Sequence, residues 1–548
     1  MNTIRKQLFA AVAAGLMLAM SGEVQAKVYV IDVPDATTWS NKAIRERNEG
    51  DTIQFNVPVI VNRNYGYSGF TGLTMSVRRI YSPTNQALPL SEAYSEQIRL
   101  NSIAPFTLTG NYASGRKDPI RNGERLHNLK AVKTDDLTLK YVSGTWEGNN
   151  TREKLKNNPP SVDMNGENNE HNVLVCGANL EYYLVQSLGT GYGPDSYAEH
   201  QKQRTKVKNA LATIHADVYG LVEIEQGQAA LAEIAADLTA LTGDHYDYIR
   251  DKGALDGSYT KAGFVYNSDR IQPVGILSEN NSIVRHRKMV QGFILIENNE
   301  RFIYSINHFK AKSGSASGRN ADQGDGQGSY NYNRVQESMS VLQNVEAYVN
   351  YYEDNDLLIM GDLNAYAKED PIQKFVEAGM YDLHRYFHAD SSYSYVFGEQ
   401  AGYLDHAIAN KSLLRQVTGM GVWHVNSDES DEYTYDKSSD LSIFRYSDHD
   451  PVLVGLRLDS TLSIPLHEEE LIEHVKVVYS DGDIMLTNVG ELGEQNGYYE
   501  IYDITGKQAQ ALTRIEESPC PVGNGLASGV YVLRVYYAGR TKALKVMK

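Results

Sequence analysis

The chain has 548 residues, too many for one ordinary domain, so about three folded units are expected. A 41% hydrophobic content with only 15 prolines excludes a disordered polypeptide. The net charge of −17 argues against electrostatic coating of nucleic acid over the whole surface, while leaving room for a local basic groove or for metal ions that neutralise phosphate.

Residues 1–26 join a basic start, MNTIRKQ, to the short apolar run FAAVAAGLMLAM and end on the small Ala26. That order is expected of an export leader that is removed, since the apolar run is too short to span a bilayer comfortably. No later stretch is long and apolar enough to span, so an exported mature chain is expected. Residues 27–145 alternate β-rich runs (TIQFNVPVIV, LTMSVRRIY, LTLKYVSG) with polar turns, which predicts a small barrel or sandwich without a long helix. The opening GDTIQFNVPVIVNRNYG resembles the oligonucleotide-binding-type barrels that accompany some secreted nucleases; a β-module that only spaces or stabilises is the alternative. Residues 146–171 are polar, with a Pro pair, and read as a linker or long surface loop.

From 172 to 458, short apolar strands (VLVCG, VYGLV, AGFVY, FILIE, FIYSI, LLIMG, LDHAIA) alternate with helical spacing in Val207–Ile214 and Val335–Val349. Neighbours at 292–297 and 301–307 look like a hairpin, so two mixed sheets with helices outside are expected. Cys176 in VLVCG and the distant Cys520 do not make a disulfide framework, and Cys176 reads as a buried inert thiol. The tail, 470–548, returns to β and predicts a small β-sandwich. Its DITGK, LASGVYVLRV and terminal KVMK elements resemble the C-terminal sorting domain of the type IX secretion pathway of Gram-negative bacteria. That resemblance implies the secretion machinery as a partner and a secreted or outer-surface location; an accessory β-domain is the alternative.

Polar residues gather at strand ends within 172–458. YSDHDPVL (446–453) crowds Asp448, His449 and Asp450 at the entry to an apolar run, where three titratable groups cost solvation and repel one another. Adjacent residues on a regular strand face opposite ways, so Asp448 and His449 share a site only if they lie on a loop entering the strand at Pro451. LLIMGDLNAY places Asp362 and Asn364 two apart, on one side of an extended backbone, although both types also favour turns. VYGLVEIEQ ends on Glu223, with Glu225 as a rival for the same task or as a cap for the helix near Gln228. FIYSINHFKAK ends on Asn307 and His308, CGANLEYY offers Asn179 after a strand, and GYLDHAIAN puts Asp405 at a strand head, where an unpaired carboxylate is costly.

In the order G-D-L-N then S-D-H-x-P, these segments resemble the endonuclease/exonuclease/phosphatase superfamily over most of 172–458; YSYVFGEQAGYLDHAIAN and DQGDGQGSYNYNR are most similar to its large extracellular bacterial nucleases. The resemblance implies a four-layer α/β sandwich with its site at one edge of the two sheets. It further implies that Glu223, with Asn179 and Asp448 nearby, binds a divalent cation, that His449 is the general base, and that Asp405 orients it. Asp362 and Asn364 would position water and phosphate, and His308 would stabilise the charged transition state or protonate the leaving oxygen. Hard oxygen ligands without cysteine favour Mg²⁺, Mn²⁺ or Ca²⁺ over structural zinc. The implied activity is metal-dependent cleavage of DNA, with RNA as a further substrate, to 5′-phosphate ends. A phosphomonoesterase or lipid-headgroup phosphodiesterase of the same fold is the alternative, and a non-enzymatic surface module the third.

Outside these corners, the Gly-rich segment 313–334 is expected to form a substrate-facing lip in which Arg319 and Arg334 meet phosphate. Lys202, Arg204, Lys206 and Lys208 read as a solvated helix face, Arg285, Arg287 and Lys288 as the better phosphate contact, and 426–436 as a solvated acidic insertion.

Overall fold

The computed structural model describes residues 26–548 apart from 34–35, 65–71, 115, 117, 148–150, 165–169, 252–257, 280–286, 460–474, 481–482, 488–496, 516–519 and 538–539. The expected leader, up to residue 25, and Arg285 lie outside the described residues. No helix among the described residues is long and apolar enough to cross a membrane.

The N-terminal part is a seven-stranded sheet: β1 (Val28–Ile31), β2 (Thr52–Phe55), β3 (Val59–Arg63), β4 (Gly72–Ser76), β5 (Phe106–Thr109), β6 (Arg125–Asp135) and β7 (Thr138–Trp146). Their order is β1-β2-β6-β3-β4-β5-β7, and a further β6–β7 pairing closes β3-β4-β5-β7-β6 into a ring. Contrary to the expectation of no long helix, Glu92–Ser102 is an eleven-residue helix, with the Ser91 hydroxyl capping the Tyr94 amide.

Two six-stranded sheets follow. The first contains β8 (Val173–Tyr183), β9 (Val218–Glu225), β10 (Tyr246–Tyr248), β11 (Thr260–Asn267), and, much later in the chain, β20 (Val417–Val422) and β21 (Val452–Leu456). The second contains β12 (Ile271–Glu279), β13 (Arg287–Leu295), β14 (Arg301–His308), β15 (Leu357–Asp362), β16 (Tyr381–Asp382) and β19 (Asp405–Ala409). A hairpin, β17 (Tyr395–Phe397) and β18 (Gln400–Gly402), stands beside them. The orders are β10-β11-β9-β8-β21-β20 and β12-β13-β14-β15-β19-β16. Each sheet has one parallel pair, β8–β9 and β14–β15, so both are mixed, as expected.

Side-chain alternation explains the layering. Val173 and Val175, Val218 and Val222, Phe302, Tyr304 and Ile306, and Leu358 and Met360 share one core between the sheets. Their neighbours face outward: Tyr219 and Leu221 meet the helices Tyr197–Ile214 and Ala229–Thr242. On the other side Ile303 and Ile359 meet Asn331–Gln343, Val345–Tyr352 and Asp370–Glu377. The result is helices, sheet, sheet, helices. The expected single helical face over Val335–Val349 is two helices parted at Asn344, with Met339 exposed. The 426–436 segment is not a solvated insertion, because Asn426, Asp428 and Glu429 are buried.

The chain beyond 475 forms a three-stranded and a four-stranded sheet sharing one apolar core that includes Ile484, Tyr499, Ile501, Leu533 and Val546.

Gly361 lies inside β15 with φ +121°, and a Cβ there would sit 2.0 Å from the Asn307 carbonyl oxygen. Gly361→Ala is therefore expected to lower the unfolding free energy by at least about 2 kcal/mol or to prevent folding; an unchanged urea midpoint would contradict the packing described for this strand.

Candidate active site

The inner-face alternation continues past the apolar core to one edge of both sheets. On β14 the inward series Phe302, Tyr304, Ile306 ends on His308, and on β15 Leu358, Met360 ends on Asp362. Register places Asp362 opposite His308 on one side and Asp405 of β19 on the other. In the first sheet Val173, Val175 and Gly177 lead to Asn179 and then Glu181. Glu223 has the wrong parity to face inward. It does so because its backbone is left-handed, φ 57°, where β9 and β11 slip register between Lys261 and Gly263. His449 lies on the irregular segment before β21, as the Asp448–His449 adjacency demands.

These groups meet. His449 Nδ1 is 2.7 Å from Asp405 Oδ2, which also accepts the Ser394 hydroxyl at 2.6 Å. The other imidazole nitrogen, Nε2, is 3.8 Å from Asp362 Oδ2 and 4.0 Å from Asp448 Oδ1. His308 Nε2 is 3.6 Å from Glu223 Oε1 and 3.7 Å from Asp362 Oδ2. Asn179 Nδ2 donates to Asp362 Oδ2 at 3.2 Å, while its Oδ1 accepts the Glu181 amide at 2.9 Å. The Tyr182 amide donates to Glu223 Oε2 at 3.1 Å. Asn364 donates its backbone N–H to Asp362 and its carboxamide to the Phe309 carbonyl. The Tyr395 ring stacks on His449 with centroids 4.6 Å apart.

Charge is out of balance here. Burial, then the Asp448 carboxylate, pushes Glu223 up to about 7, and the same two causes push Glu181 up to about 8. Burial lifts Asp362 to about 6 against the pull of His449 and His308. Burial disfavours a charged His449, but Asp405, Asp362 and Asp448 outweigh it and hold the imidazole well above its ordinary value. The site opens into a cleft of about 800 Å³ with Lys261, Lys310 and Lys312 on its wall.

Residues 171–449 match the model of the endonuclease/exonuclease/phosphatase family. The chain belongs to that family. No curated protein matches the sequence. Among solved structures it is similar to the human nocturnin catalytic domain with bound sulfate, at 14% identity and TM-score 0.35, over 52% of this chain and 94% of that one. It is likewise similar to a mannosyl-6-phosphatase of Bacteroides thetaiotaomicron, at 16% identity and TM-score 0.35, over 52% and 99%. A third is TDP2 of D. rerio complexed with single-strand DNA product, at 12% identity and TM-score 0.35, over 52% and 97%.

The residues expected at this family's site fall into two groups. Asn179, Glu223, His308, Asp362, Asn364, Asp405, Asp448 and His449 converge as described. Arg334 does not: it is buried, and its guanidinium donates to the carbonyls of Lys310, Ser329 and Gln327, tying down the Gly-rich insertion from within. Arg319 is exposed on that insertion and stacks over Tyr332 at 5.4 Å, outside the residues lining the cleft. Lys288 is buried and donates to Ser340, so it meets no phosphate. Glu225 is neither ligand nor helix cap, since its carboxylate receives the amides of Val185, Gln186 and Ser187. Lys206 is buried against the Asp440 carbonyl, not part of a solvated face, and burial pulls it down to about 8. Asp450, beside His449, is turned away and accepts from Asn426, Ser427 and His424.

Three functional side chains were missed. Glu181 follows Asn179 at the same two-residue step and could have been found by extending the alternation. Ser394 and Tyr395 support Asp405 and His449, and no local pattern marks either.

A cation fits the donor set. Single ligand atoms of Glu223, His308 and Asp362 lie within 4.8 Å of one another, and Asp448 presses further negative charge on Glu223, as Asp448 and Glu223 do on Glu181. Asn179 lies beside this group, its Nδ2 donating to Asp362 and its Oδ1 accepting one hydrogen bond, from the Glu181 amide, which leaves that oxygen a second lone pair. A divalent metal should raise the thermal midpoint of the whole chain, with about 2.7 kcal/mol of stabilisation at a hundredfold excess over its dissociation constant. Glu223→Gln should abolish most of that shift in a thermal melt with and without EDTA; an equal shift in the variant would remove Glu223 from the site.

Proposed function

We propose that this chain is a secreted, divalent-metal-dependent phosphodiesterase that hydrolyses DNA, and RNA as a further substrate, leaving 5′-phosphate ends. The observation carrying this reading is the imidazole of His449: its Nδ1 is fixed by Asp405 while Nε2 faces Asp362 and the cleft. In the neutral imidazole whose Nδ1–H donates to Asp405, Nε2 is the basic nitrogen that takes a proton from an attacking water. Asp405 sets that tautomer and stabilises the imidazolium that results. Asp362 and Asn364 orient the water and the phosphate, and His308, across the cleft floor, offers a proton or positive charge to the departing oxygen. Held by Glu223 with Asp448 nearby, a cation such as Mg²⁺ or Mn²⁺ would polarise the phosphoryl oxygen and offset developing negative charge.

The cleft walls favour a nucleic acid over a small phosphomonoester. Tyr395 and Phe397 stand on one hairpin strand with rings 6.5 Å apart and nearly parallel at 8°, and Phe397 is 69% exposed. Facing residues include Tyr182 and Tyr192, stacked at 5.1 Å, with Tyr192 half exposed. Exposed rings beside a phosphate-ester centre supply stacking surfaces for bases. The closed five-strand ring supports the oligonucleotide-binding-type reading of the N-terminal part, and the basic-apolar start and the terminal Gly-Tyr-Leu-Arg-Val pattern support export through the type IX machinery to the medium or outer surface.

The test is turnover of plasmid DNA, RNA, sphingomyelin and p-nitrophenyl phosphate by the purified chain with and without EDTA. Metal-dependent DNA cleavage is expected, and His449→Ala should reduce it by at least ~10²-fold. Phe397→Ala should weaken binding of single-stranded DNA by about 1–3 kcal/mol, read in KM, with little change on bis-p-nitrophenyl phosphate. Turnover of sphingomyelin or p-nitrophenyl phosphate with inert DNA would overturn the nuclease assignment.

A further inference from the structure

The segment that carries His449 is held by neighbours far from it in sequence. Asn426 donates its carboxamide to the His449 carbonyl at 2.6 Å and accepts the Tyr446 amide at 3.0 Å. The Asp450 carboxylate receives the amides of Asn426 and Ser427 at 2.8 and 2.9 Å, the Ser427 hydroxyl at 2.5 Å and His424 Nδ1 at 2.9 Å. The Asp450 amide in turn donates to the Ser394 carbonyl at 2.8 Å, and Ser394 is the residue whose hydroxyl holds Asp405. Both halves of the His449–Asp405 dyad therefore hang on two short stretches, Ser392–Tyr395 and His424–Glu429.

Those stretches are gripped from the N-terminal sheet. Arg79, beyond β4, pairs with Asp428 Oδ1 at 2.7 Å and lies over the Tyr393 ring at 4.9 Å. Tyr393 donates its hydroxyl to the same carboxylate at 2.8 Å and stacks on His424 at 4.0 Å. Arg121, just before β6, pairs with Glu429 Oε1 at 2.6 Å and donates to the His424 carbonyl at 2.5 Å. The Asn122 amide and the Asn64 carboxamide both reach the Asp428 carbonyl. Arg121, Asp428 and Glu429 are each no more than 5% exposed, so these are buried ion pairs and not screened surface contacts.

We infer that the N-terminal sheet is a working part of the hydrolytic centre: Arg79 and Arg121 are positioning residues that hold His449 and Asp405 in alignment through His424–Glu429 and Tyr393–Ser394. This rests on the proposed hydrolytic role of the dyad. A unit that served only to bind or space substrate would need no guanidinium buried against the segment behind the general base. Removing Arg79 takes from the buried Asp428 its direct counter-charge, and removing Arg121 leaves the buried Glu429, among the described residues, with Arg152 as its ion-pair partner on Oε2 and none on Oε1, so the stretch is expected to shift.

The experiment compares the full chain with Arg79→Ala, Arg121→Ala, the milder Arg79→Lys and Tyr393→Phe, and Arg45→Ala as a control. Arg45 belongs to the same unit but pairs with Asp136 at its exposed side. On whichever phosphate ester the wild type turns over, kcat should fall 10- to 100-fold in the alanine variants and 3- to 10-fold in the milder ones. KM should stay within twofold, the metal-induced thermal shift should persist, and Arg45→Ala should match wild type. Hydrogen–deuterium exchange, read by mass spectrometry without substrate, should quicken several-fold in peptides covering 392–395 and 446–450 but not in 302–308. Unaltered exchange in those two peptides would overturn the inference, as would kcat within twofold of wild type in the folded variants, or a loss matching only the unfolded fraction. If the alanine variants do not fold, the milder pair decides by the same criteria. A wild type that hydrolyses no phosphate ester would defeat the proposed function instead, and the exchange measurement would still decide the positioning role.

Discussion

The bond between His449 and Asp405 joins two sheets whose shared core is largely apolar. Asp405 opens β19 in one sheet and His449 enters β21 in the other, so their 2.7 Å contact exists only if the sheets approach closely at that edge. Glycines permit the approach. A Cβ on Gly220 would lie 2.3 Å from the Tyr304 hydroxyl, and one on Gly177 would lie 3.1 Å from Met360. The Tyr304 hydroxyl uses the space to donate to the Cys176 carbonyl at 3.2 Å, a polar stitch through the inter-sheet core. Asn179 to Asp362 is a second crossing at the site itself. Sheet spacing, set by small residues in the core, thus fixes the geometry of the chemistry at the rim.

That rim works against the fold's own stability. Among the described residues the carboxylates Glu181, Glu223, Asp362, Asp405 and Asp448 outnumber the His308 and His449 imidazoles and the Arg445 guanidinium beside them, and burial of such unbalanced charge is costly. Backbone conformation adds to the cost. Glu181, Tyr182, Glu223, Asn364 and Arg445 all have positive φ, each a conformation that costs on the order of 1–3 kcal/mol for a residue with a side chain. Nothing in packing requires five such residues in one place. The arrangement makes sense where a cation supplies the missing charge and where strand ends must turn their last side chains inward, against ordinary parity in the case of Glu223.

Much of this was legible in the sequence because both the strands and the site obey one rule. Short apolar runs marked the strands, and the polar residue at the end of each marked Asn179, His308 and Asp362, which the structure then places on the inward parity. The same rule read one step further gives Glu181. What resisted reading were long-range charge pairings. Arg334 sits among glycines and aspartates and reads as a phosphate contact, yet its partners are the carbonyls of its own insertion. Asp428 and Glu429 sit in an acidic run and read as solvated, because the arginines that bury them lie some three hundred residues earlier in the chain. Local polarity cannot distinguish a solvated charge from one whose partner arrives from another sheet.

The same blindness affects any description of the chain as independent modules. Residues 79–85 touch the α/β unit at several separate points. Arg79 meets Asp428, while Ser82 donates its amide to Ala401, whose own amide donates to Ile80, so this strand-like stretch extends the hairpin bearing Tyr395 and Phe397. Thr84 donates to Glu369 at 2.8 Å, and that fully buried carboxylate also holds Lys312, which lines the cleft. The Asn85 carboxamide oxygen accepts the Tyr403 amide two residues before Asp405. Interfaces between domains that move are commonly polar and solvated, and they tolerate separation. This one buries Asp428 and Glu429 against arginines of the N-terminal part, so its charges are paired across the contact and shielded from solvent. The N-terminal sheet is therefore tied both to the cleft wall, through Thr84 and Asn85, and to the base-bearing segment, through Arg79 and Arg121.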